Sequence, residues 1–424
     1  MTNPPAASGA NPSDPISRSC RFCGAPLEHV VIDLGMSPLC ESFLAADELE
    51  HMEPFYPLRV RICGVCLLVQ LPAYVSPAAI FTEYAYFSSF SDSWVEHARR
   101  YTAAMVERLH LGERSFVVEV GSNDGYLLQH FVDGGIRVLG IDPALNVAVA
   151  AEARGVRTRT GFFGSAVARE IRADEGAADL VIGNNVLAQV PDLNDFVAGI
   201  VDLLAPSGLV SIEVPHLMRL ISGNQFDTIY HEHYSYFSLA TVRSIFEAHG
   251  LAVVDVEELP SHGGSLRIFG RHAGGEDLAS DRVEAVLRDE LAAGLGDVAT
   301  YQAFGARVEA IKRDLLRFLI DARREGRTVV GYGAPGKANT LLNYCGIRTD
   351  LVQYTVDRNP YKQGRFTPGT HLPIHHPDRI AETRPDHVWI LPWNLGREIR
   401  SQLSYIGDWG GRFLTAIPDV RDLG

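Results

Sequence analysis

The sequence predicts an α/β protein in three parts: a small cysteine-rich N-terminal module, a central doubly wound domain and a second α/β domain at the C-terminus. Three observations support this prediction. Two Cys-x-x-Cys pairs lie near the N-terminus, and two later segments each have the pattern of a strand, a glycine turn and a helix. These segments are RSFVVEVGSNDGYLLQHFVDGGIRVLGIDPA and RTVVGYGAPGKANTLLNYCGI. Repetition of one architecture suggests two separate nucleotide-type ligands.

Length and charge narrow the class of protein. At 424 residues the chain exceeds one ordinary hydrophobic core, and 46% hydrophobic residues are typical of a globular protein. A net charge of −14 argues against a general nucleic-acid binder, because phosphates require clustered Lys and Arg. No apolar run approaches the ~18 residues of a membrane span. We therefore expect a cytoplasmic protein with no membrane partner, preceded by a disordered leader over residues 1–15.

Residues 16–85 are predicted to form a zinc-binding module. The two Cys-x-x-Cys pairs are typical of tetrahedral thiolate coordination, the alternative being four free thiols in a reducing cytosol. Because sulfur would fill every position, we expect a closed, structural Zn²⁺ site that serves folding and not chemistry. The other two cysteines, Cys40 and Cys345, are expected to be buried bystanders. The predicted ligands are Cys20, Cys23, Cys63 and Cys66.

Residues 86–262 are predicted to form the central doubly wound domain. The turn EVGSNDG lacks the second glycine of the dinucleotide pattern G-x-G-x-x-G, and Asp124 near the helix start would repel a pyrophosphate. An acidic residue at Glu119 suits a ligand that carries an amino cation and a sulfonium. This pattern favours S-adenosylmethionine over NAD.

The candidate cofactor residues follow the ends of the predicted strands. Asp142 is expected to accept hydrogen bonds from the ribose hydroxyls. The segment GNNVLAQV is expected to flank the methionine portion and the transferable methyl group. The full set is Glu119, Gly121, Asn123, Gly125, Asp142, Asn184, Asn185 and Leu187.

The segment TIYHEHYSYFS, residues 228–238, concentrates groups that transfer protons. An acid/base centre, a metal site and a packed aromatic turn are all open interpretations. Histidines two residues apart, as at His231 and His233, converge poorly on one metal ion. His231 is the stronger candidate for a bystander.

Residues 263–424 are predicted to form the second α/β domain. In its turn GYGAPGKANT, amides at a helix N-terminus and the ammonium of Lys337 suit a diphosphate, the alternative being a tight packing turn. The order differs from that of a P-loop, so ATP hydrolysis is not expected. The candidate substrate contacts in and after this turn are Gly333, Lys337, Lys362, Arg365 and Asn394. In SHGGSLR, where a strand meets a glycine pair, His262 and Arg267 are expected to contact sugar or phosphate, the alternative being a structural turn.

Together these motifs resemble a known family. The zinc cysteines, EVGSNDG, FDTIYHEHYSYFS, HGGSLR, GYGAPGK and NYCGI are similar to those of the three-domain, S-adenosylmethionine-dependent sugar C-methyltransferases of the tetronitrose C-3′-methyltransferase type. The resemblance spans nearly the whole chain after the leader. It implies a nucleotide-sugar substrate, held partly by the C-terminal domain. It also implies that His233 is the base, with Tyr230 and Glu232 beside it, and that Tyr86 of YAYFSS enters the pocket.

One position departs from the family pattern. Gln189 stands where the family usually carries histidine in NVLAHVPDLNDF. Glutamine can hydrogen-bond but cannot take a proton, so Gln189 is expected to contact the substrate without acid/base chemistry. The regiochemistry is left open between C-3′ and C-5′.

The predicted function is methylation of a 4-keto-6-deoxy sugar, linked to TDP or GDP, through an enolate in deoxysugar or antibiotic biosynthesis. Histidine is suited to remove the proton because its ordinary pKa is about 6.5. Two other interpretations are kept: an NAD-dependent sugar-nucleotide oxidoreductase and a non-catalytic zinc-knuckle scaffold that binds a nucleotide sugar. The oligomeric state is open, a monomer included.

Overall fold

The computed structural model describes residues 18–82, 87–275 and 279–423, and only the backbone of residues 92 and 93. The N-terminal part contains β1 (His29–Ser37), β2 (Tyr56–Ile62), β3 (Val69–Gln70) and α1 (Pro77–Phe81). The central part contains α2 (Asp92–Leu109), β4 (Phe116–Val120), α3 (Leu128–Asp133), β5 (Arg137–Asp142), α4 (Leu145–Glu152), β6 (Thr158–Thr160), α5 (Ser165–Glu175), β7 (Ala178–Asn184), α6 (Leu193–Leu203), β8 (Leu204–Pro215), α7 (Leu217–Ser222), β9 (Ser235–Tyr236), α8 (Leu239–Ala248), β10 (Leu251–Leu259) and β11 (Ser265–His272). The C-terminal part contains α9 (Asp281–Ala292), α10 (Val298–Arg324), β12 (Val329–Tyr332), α11 (Gly336–Cys345), β13 (Thr355–Val356), β14 (Ile374–His375), α12 (Arg379–Thr383), β15 (His387–Ile390), α13 (Gly396–Gln402), β16 (Arg412–Thr415) and β17 (Arg421–Asp422).

The N-terminal sheet takes one strand from the central part of the chain. Its order is β1-β2-β3-β9, and all pairs are antiparallel. Val69 pairs with Tyr236 in β9, and the amide of Leu71 donates to the carbonyl of Tyr234 at 2.9 Å. The histidine-rich segment is therefore held by the zinc module as well as by its own domain.

The central sheet has the order β10-β11-β8-β7-β4-β5-β6. Strands β6, β5, β4, β7 and β8 are parallel, while β11 and β10 add an antiparallel edge. The FVVEV sequence of β4 is buried at every position, as expected of a parallel strand covered by helices on both faces. The parallel strands place their carboxyl ends, including Val120, Asp142 and Asn184, on one edge of the domain.

The central sheet continues past the predicted domain boundary at residue 262. β11 pairs with β8, and its side chains Leu266 and Ile268 are fully buried in the central core. The glycine pair at Gly263 and Gly264 lies between two neighbouring strands of one sheet, not between two domains. A glycine turn alone does not distinguish these two situations.

The C-terminal sheet has the order β14-β13-β12-β15-β16-β17, and its pairs are parallel except for β17. Helix α10 also packs on β1, so that Val31 and Ile32 share one hydrophobic core with Phe304 and Val308. The zinc module thus lies against both α/β domains. No described helix combines the length and apolarity that crossing a membrane requires.

Candidate active site

The four predicted zinc ligands come together. Their Sγ atoms all lie within 4.8 Å of one another, with Cys20–Cys66 and Cys23–Cys63 both at 3.5 Å. Tetrahedral Zn–S bonds of about 2.3 Å require S···S distances of about 3.8 Å. The arrangement therefore fits a structural Zn²⁺ ion, as the sequence predicts. Nε2 of Gln70 donates to Sγ of Cys20 at 3.2 Å, a hydrogen bond that supports a thiolate ligand.

A cavity of about 740 Å³ lies where the three parts of the chain meet. It opens at the carboxyl ends of the central parallel strands, where α/β folds generally bind ligands. The sequence-predicted residues on its wall are Gly121, Asn123, Asp142, Asn184, Asn185, Gln189, Tyr230, Glu232, His233, His262, Lys337 and Lys362. Tyr86 lies outside the described residues.

The glycine turn after β4 forms one end of the cavity. Gly121 has a φ of 71°, and a Cβ there would lie 3.2 Å from the side chain of Val186, so a side chain would be strained and crowded. Asp142 is fixed beside this turn because its Oδ2 accepts from the amide of Asn123 and its Oδ1 from that of Ala144, both at 2.9 Å. A carboxylate oriented in this way keeps lone pairs for a ribose diol.

Buried acceptors around the turn lack partners. Both carboxyl oxygens of Glu119, and the Oδ1 atoms of Asn184 and Asn185, are buried without a hydrogen-bond partner in the described structure. Glu119 itself lies off the cavity wall. Its burial, together with the charges of Asp142 and Asp124, raises the pKa of this carboxyl well above its usual range. The unmet amide oxygens of Asn184 and Asn185, which do line the cavity, fit a ligand that brings N–H donors, as S-adenosylmethionine does.

The ring of His233 lies on the cavity wall and is held by a backbone carbonyl. Its Nδ1 lies 3.1 Å from the carbonyl oxygen of Thr228, so Nδ1 carries the proton and Nε2 keeps its lone pair. The Tyr230 ring lies beside it, with ring centroids 4.2 Å apart. Burial lowers the pKa of His233 to about 4; the Thr228 carbonyl opposes this shift, and the charges of His262 and Lys337 add to it. The imidazole is therefore neutral at neutral pH.

The backbone carbonyl of Thr228 orients the histidine, and Glu232 contacts a cysteine. Oε1 of Glu232 accepts from Sγ of Cys40 at 3.3 Å. Cys40 is buried, as expected, but it also lies on the cavity wall. Burial and the nearby carboxylates of Glu232 and Glu41 raise the pKa of the Cys40 thiol well above its usual range, which keeps it a neutral donor.

The structure argues against a metal site in the histidine segment. Nε2 of His231 lies 3.2 Å from the carbonyl of Pro57, and its ring packs edge-on against Tyr56. Among the residues that the structure describes, the cysteine cluster is the one group suited to hold a metal ion. His231 does not line the cavity, and its role as a bystander stays a prediction.

Arg267 is not brought to the cavity. Its guanidinium lies 3.0 Å from Glu213 and 3.2 Å from Glu257, and it packs on the ring of Tyr101. Glu213 is fully buried and needs a compensating charge. Arg267 supplies this positive charge, and the need for it accounts for the position of Arg267. No local pattern in HGGSLR reveals that need.

Four other predicted residues lie off the wall. The amide of Gly333 donates to the carbonyl of Val356 at 2.6 Å, and a Cβ there would lie 2.6 Å from Pro392, so this glycine serves the turn. Arg365 donates to the carbonyl of Phe43. A Cβ on Gly125 would lie 3.0 Å from the side chain of Val156, and Leu187 is fully buried in the central core.

Asn394 acts through Lys337. Its Oδ1 accepts from Nζ of Lys337 at 2.8 Å, and this ammonium lies 4.7 Å from the ring centroid of Trp393. The indole N–H of Trp393 donates in turn to Oδ2 of buried Asp227 at 2.7 Å. Burial lowers the pKa of Lys337 and the charge of Asp227 opposes this shift.

Sequence reasoning missed several wall residues. They include Cys40, Glu41, Trp94, Phe162, Asp192 and Asp195. Phe162 is the second residue after β6, in the segment GFFG, and it is 47% exposed. An aromatic pair just after a predicted strand is a signal that the sequence offers. Glu41 gave no such signal, because its significance depends on Lys362, more than three hundred residues away.

Comparisons with known proteins agree with this arrangement. Residues 20–81 match a putative zinc binding domain, residues 94–256 a methyltransferase domain, and residues 260–418 the C-methyltransferase C-terminal domain. The C-methyltransferase NovU of Streptomyces niveus is 38% identical over 402 residues, which cover 95% of this chain and 96% of that protein.

Solved methyltransferase structures match less than half of this chain. The magnesium protoporphyrin IX methyltransferase of Synechocystis PCC 6803 is 14% identical, covering 42% of this chain and 83% of that chain with a TM-score of 0.35. An S-adenosylmethionine-dependent methyltransferase from Anabaena variabilis is 12% identical, covering 41% and 84% at a TM-score of 0.35. Likeness at this level supports no argument about the site.

Proposed function

The chain belongs to the S-adenosylmethionine-dependent C-methyltransferases, and we propose that its methyl acceptor is a nucleotide-linked 4-keto-6-deoxy sugar. Membership of this family replaces the oxidoreductase and scaffold interpretations. The observation that supports the proposed acceptor is a neutral, oriented imidazole in the same cavity as the cofactor turn. Carbon is nucleophilic beside a ketone because loss of a proton there gives an enolate, and a 4-keto sugar offers such protons at C-3′ and C-5′.

We propose the following roles for the residues. Nε2 of His233 takes the proton from the acceptor carbon, and the hydroxyl of Tyr230 donates to the oxygen that gains charge. Burial raises the pKa of Tyr230 well above its usual range, so the hydroxyl keeps its proton. A donor of this kind is typically worth about 3–4 kcal/mol in the transition state. S-adenosylmethionine, when bound, supplies an electrophilic methyl group on its sulfonium.

Cofactor and acceptor would occupy opposite ends of the cavity. Asp142 and the amide side chains of Asn184 and Asn185 would hold and orient the cofactor, with Phe162 beside the adenine. Lys337 and the first amides of α11 would bind the diphosphate of the acceptor. Gln189 and His262 would contact the sugar from the wall.

The proposed acceptor is tested by a labelled-methyl assay against a panel of TDP- and GDP-linked 4-keto sugars, read by mass spectrometry. We expect one methyl group on carbon, at C-3′ or C-5′, with some of these acceptors. Absence of methyl transfer to all of them, with the cofactor bound normally, would overturn the proposal.

The pH profile should reflect the low pKa of His233. Because the folded-state pKa is about 4, the base stays unprotonated well below pH 6.5, and kcat/KM should remain flat from pH 8 to about 5. The free energy of unfolding should fall as the pH drops from 6.5 towards 4, since an unfolded histidine binds the proton earlier than the folded one. Short assays, with circular dichroism to confirm folding, measure the profile; an acid limb centred near pH 6.5 would contradict the assignment.

Asp142→Asn should weaken cofactor binding. The loss of a charged acceptor for the ribose hydroxyls is expected to raise the dissociation constant for S-adenosylmethionine about 10- to 100-fold by calorimetry. Asp179→Asn is the matched control, because Asp179 also accepts from a backbone amide, that of Phe116, but at the opposite end of β4. An equal effect of both substitutions would show a loss of folding and not of a contact.

A further inference from the structure

An ion pair on the cavity wall joins the zinc module to the C-terminal domain. Oε2 of Glu41 lies 3.1 Å from Nζ of Lys362, and both residues line the cavity. Glu41 follows Cys40, whose thiol donates to Glu232 beside the candidate base. The pair therefore lies on the acceptor side of the cavity.

Both partners are held by further contacts. Nζ of Lys362 also donates to the carbonyl of Ala334 at 3.0 Å and lies 4.5 Å from the ring centroid of Phe43. Two of its three N–H groups are thus used, and one remains. On the Glu41 side, the backbone of Leu44 pairs with that of Phe366 through hydrogen bonds of 3.0 and 2.9 Å.

The segment that carries Glu41 also docks directly on α11. Nδ2 of Asn339 donates to the carbonyl of Cys40. A Cβ on Gly336 would lie 2.8 Å from Sγ of Cys40, so the close approach of the two parts requires a glycine there. Because the segment is fixed in this way, Glu41 is presented to the cavity in a defined position.

The charges of the pair indicate what it can bind. Burial acts to lower the pKa of Lys362, but the charges of Glu41 and Asp357 outweigh burial and raise it. Lys362 therefore keeps its proton, and its ammonium is compensated by the carboxylate of Glu41 at 3.1 Å. A phosphate would be repelled by the carboxylate of Glu41. An ammonium group on a ligand would be repelled by the ammonium of Lys362. A hydroxyl group both donates and accepts, so it matches the free carboxylate lone pairs and the remaining N–H.

Lys337 provides the contrast. Within the described residues this ammonium has no carboxylate at ion-pair distance, and its hydrogen-bond partner is the neutral amide of Asn394. Its charge is therefore available to an anion, which places the diphosphate at Lys337 and leaves the sugar ring for the Glu41–Lys362 pair.

We propose that the Glu41–Lys362 pair binds a ring hydroxyl of the acceptor sugar, which makes the N-terminal module a determinant of acceptor specificity. This inference rests on the proposed function. It gives the zinc module a second role, since folding of the module alone would not require Glu41 to line the cavity beside Lys362.

The test compares Glu41→Gln with wild type on a nucleotide-linked 4-keto-6-deoxyglucose and on its 2-deoxy and 3-deoxy analogues. The variant keeps the shape of the side chain but loses its charge. We expect KM for the fully hydroxylated acceptor to rise about 10- to 100-fold, and KM for one deoxy analogue to change less than about twofold. The analogue that escapes the effect identifies the hydroxyl.

Glu53→Gln is the matched control. Glu53 is another carboxylate of the N-terminal module that bridges to the C-terminal domain, accepting from the amide of Gly369 at 2.7 Å and pairing with His371 at 3.1 Å, away from the cavity wall. We expect this variant to keep the wild-type KM for every acceptor, with melting temperatures measured for both variants.

The outcomes separate this inference from the proposed function. Wild-type turnover on the panel tests the function alone, and its absence would overturn both. With normal wild-type turnover, an equal rise of KM for all acceptors, a loss confined to kcat, or the same effect in Glu53→Gln would overturn the role of Glu41 and leave the function intact.

Discussion

Replacing His233 with asparagine is expected to lower kcat by about 10²- to 10⁴-fold, the usual contribution of a general base, while the dissociation constant for S-adenosylmethionine stays within about twofold. The asparagine amide can still donate to the carbonyl of Thr228, which now accepts from Nδ1 at 3.1 Å. The substitution therefore removes the lone pair of Nε2 and disturbs the surrounding packing little. Turnover is measured with saturating cofactor, and affinity by calorimetry.

A second measurement separates proton removal from methyl transfer. In deuterium oxide and without cofactor, the wild-type protein should exchange the acceptor proton for deuterium, and His233→Asn should not. The matched control is His231→Asn, because His231 belongs to the same segment but contacts the carbonyl of Pro57. Full turnover in His233→Asn, or a loss of cofactor affinity instead of turnover, would show that another group is the base.

The sequence predicted those parts of the site whose chemistry lies in a short stretch of chain. The spacing within the two cysteine pairs is that of a tetrahedral zinc site. The turn EVGSNDG lies between a strand and a helix, and the patterns of these two elements fix its place in the sheet. The segment around His233 stands out because few segments combine so many proton-transferring groups, while the role of His233 as the base stays a proposal. In each case the residues that form the sequence pattern are also the residues that determine where the segment lies in the fold.

The parts that were missed depend on contacts between distant segments. Cys40 was assigned to the core, as a lone cysteine usually is, yet its thiol meets Glu232 192 residues later. Arg267 was nominated as a ligand contact because it follows two glycines, whereas its position is set by the buried carboxylate of Glu213. Neither partner can be chosen from the sequence alone, since the choice depends on how three domains pack.

The largest effect on stability is expected from loss of the zinc site. Cys63 is fully buried, and together with Cys20, Leu27 and Leu68 it belongs to the hydrophobic core of the central domain. Structural zinc sites in small modules contribute apparent binding free energies of about 10–16 kcal/mol to folding at neutral pH. Cys63→Ser should therefore reduce the zinc content measured by mass spectrometry. It should also lower the free energy of unfolding by several kcal/mol, a part of the free energy that the whole site contributes.

The same substitution should also reduce kcat, although no cysteine ligand lies on the cavity wall. β3 follows the second cysteine pair and pairs with β9, which begins two residues after His233. The amide of Leu71 also bonds to Tyr234, so loosening β3 releases the chain next to the base. Cys345→Ala is the control, because this buried thiol lies outside the cluster, and it should retain full zinc and wild-type kcat. If a metal-stripped protein kept its melting temperature and its turnover, the module would not support the site through β3 and β9.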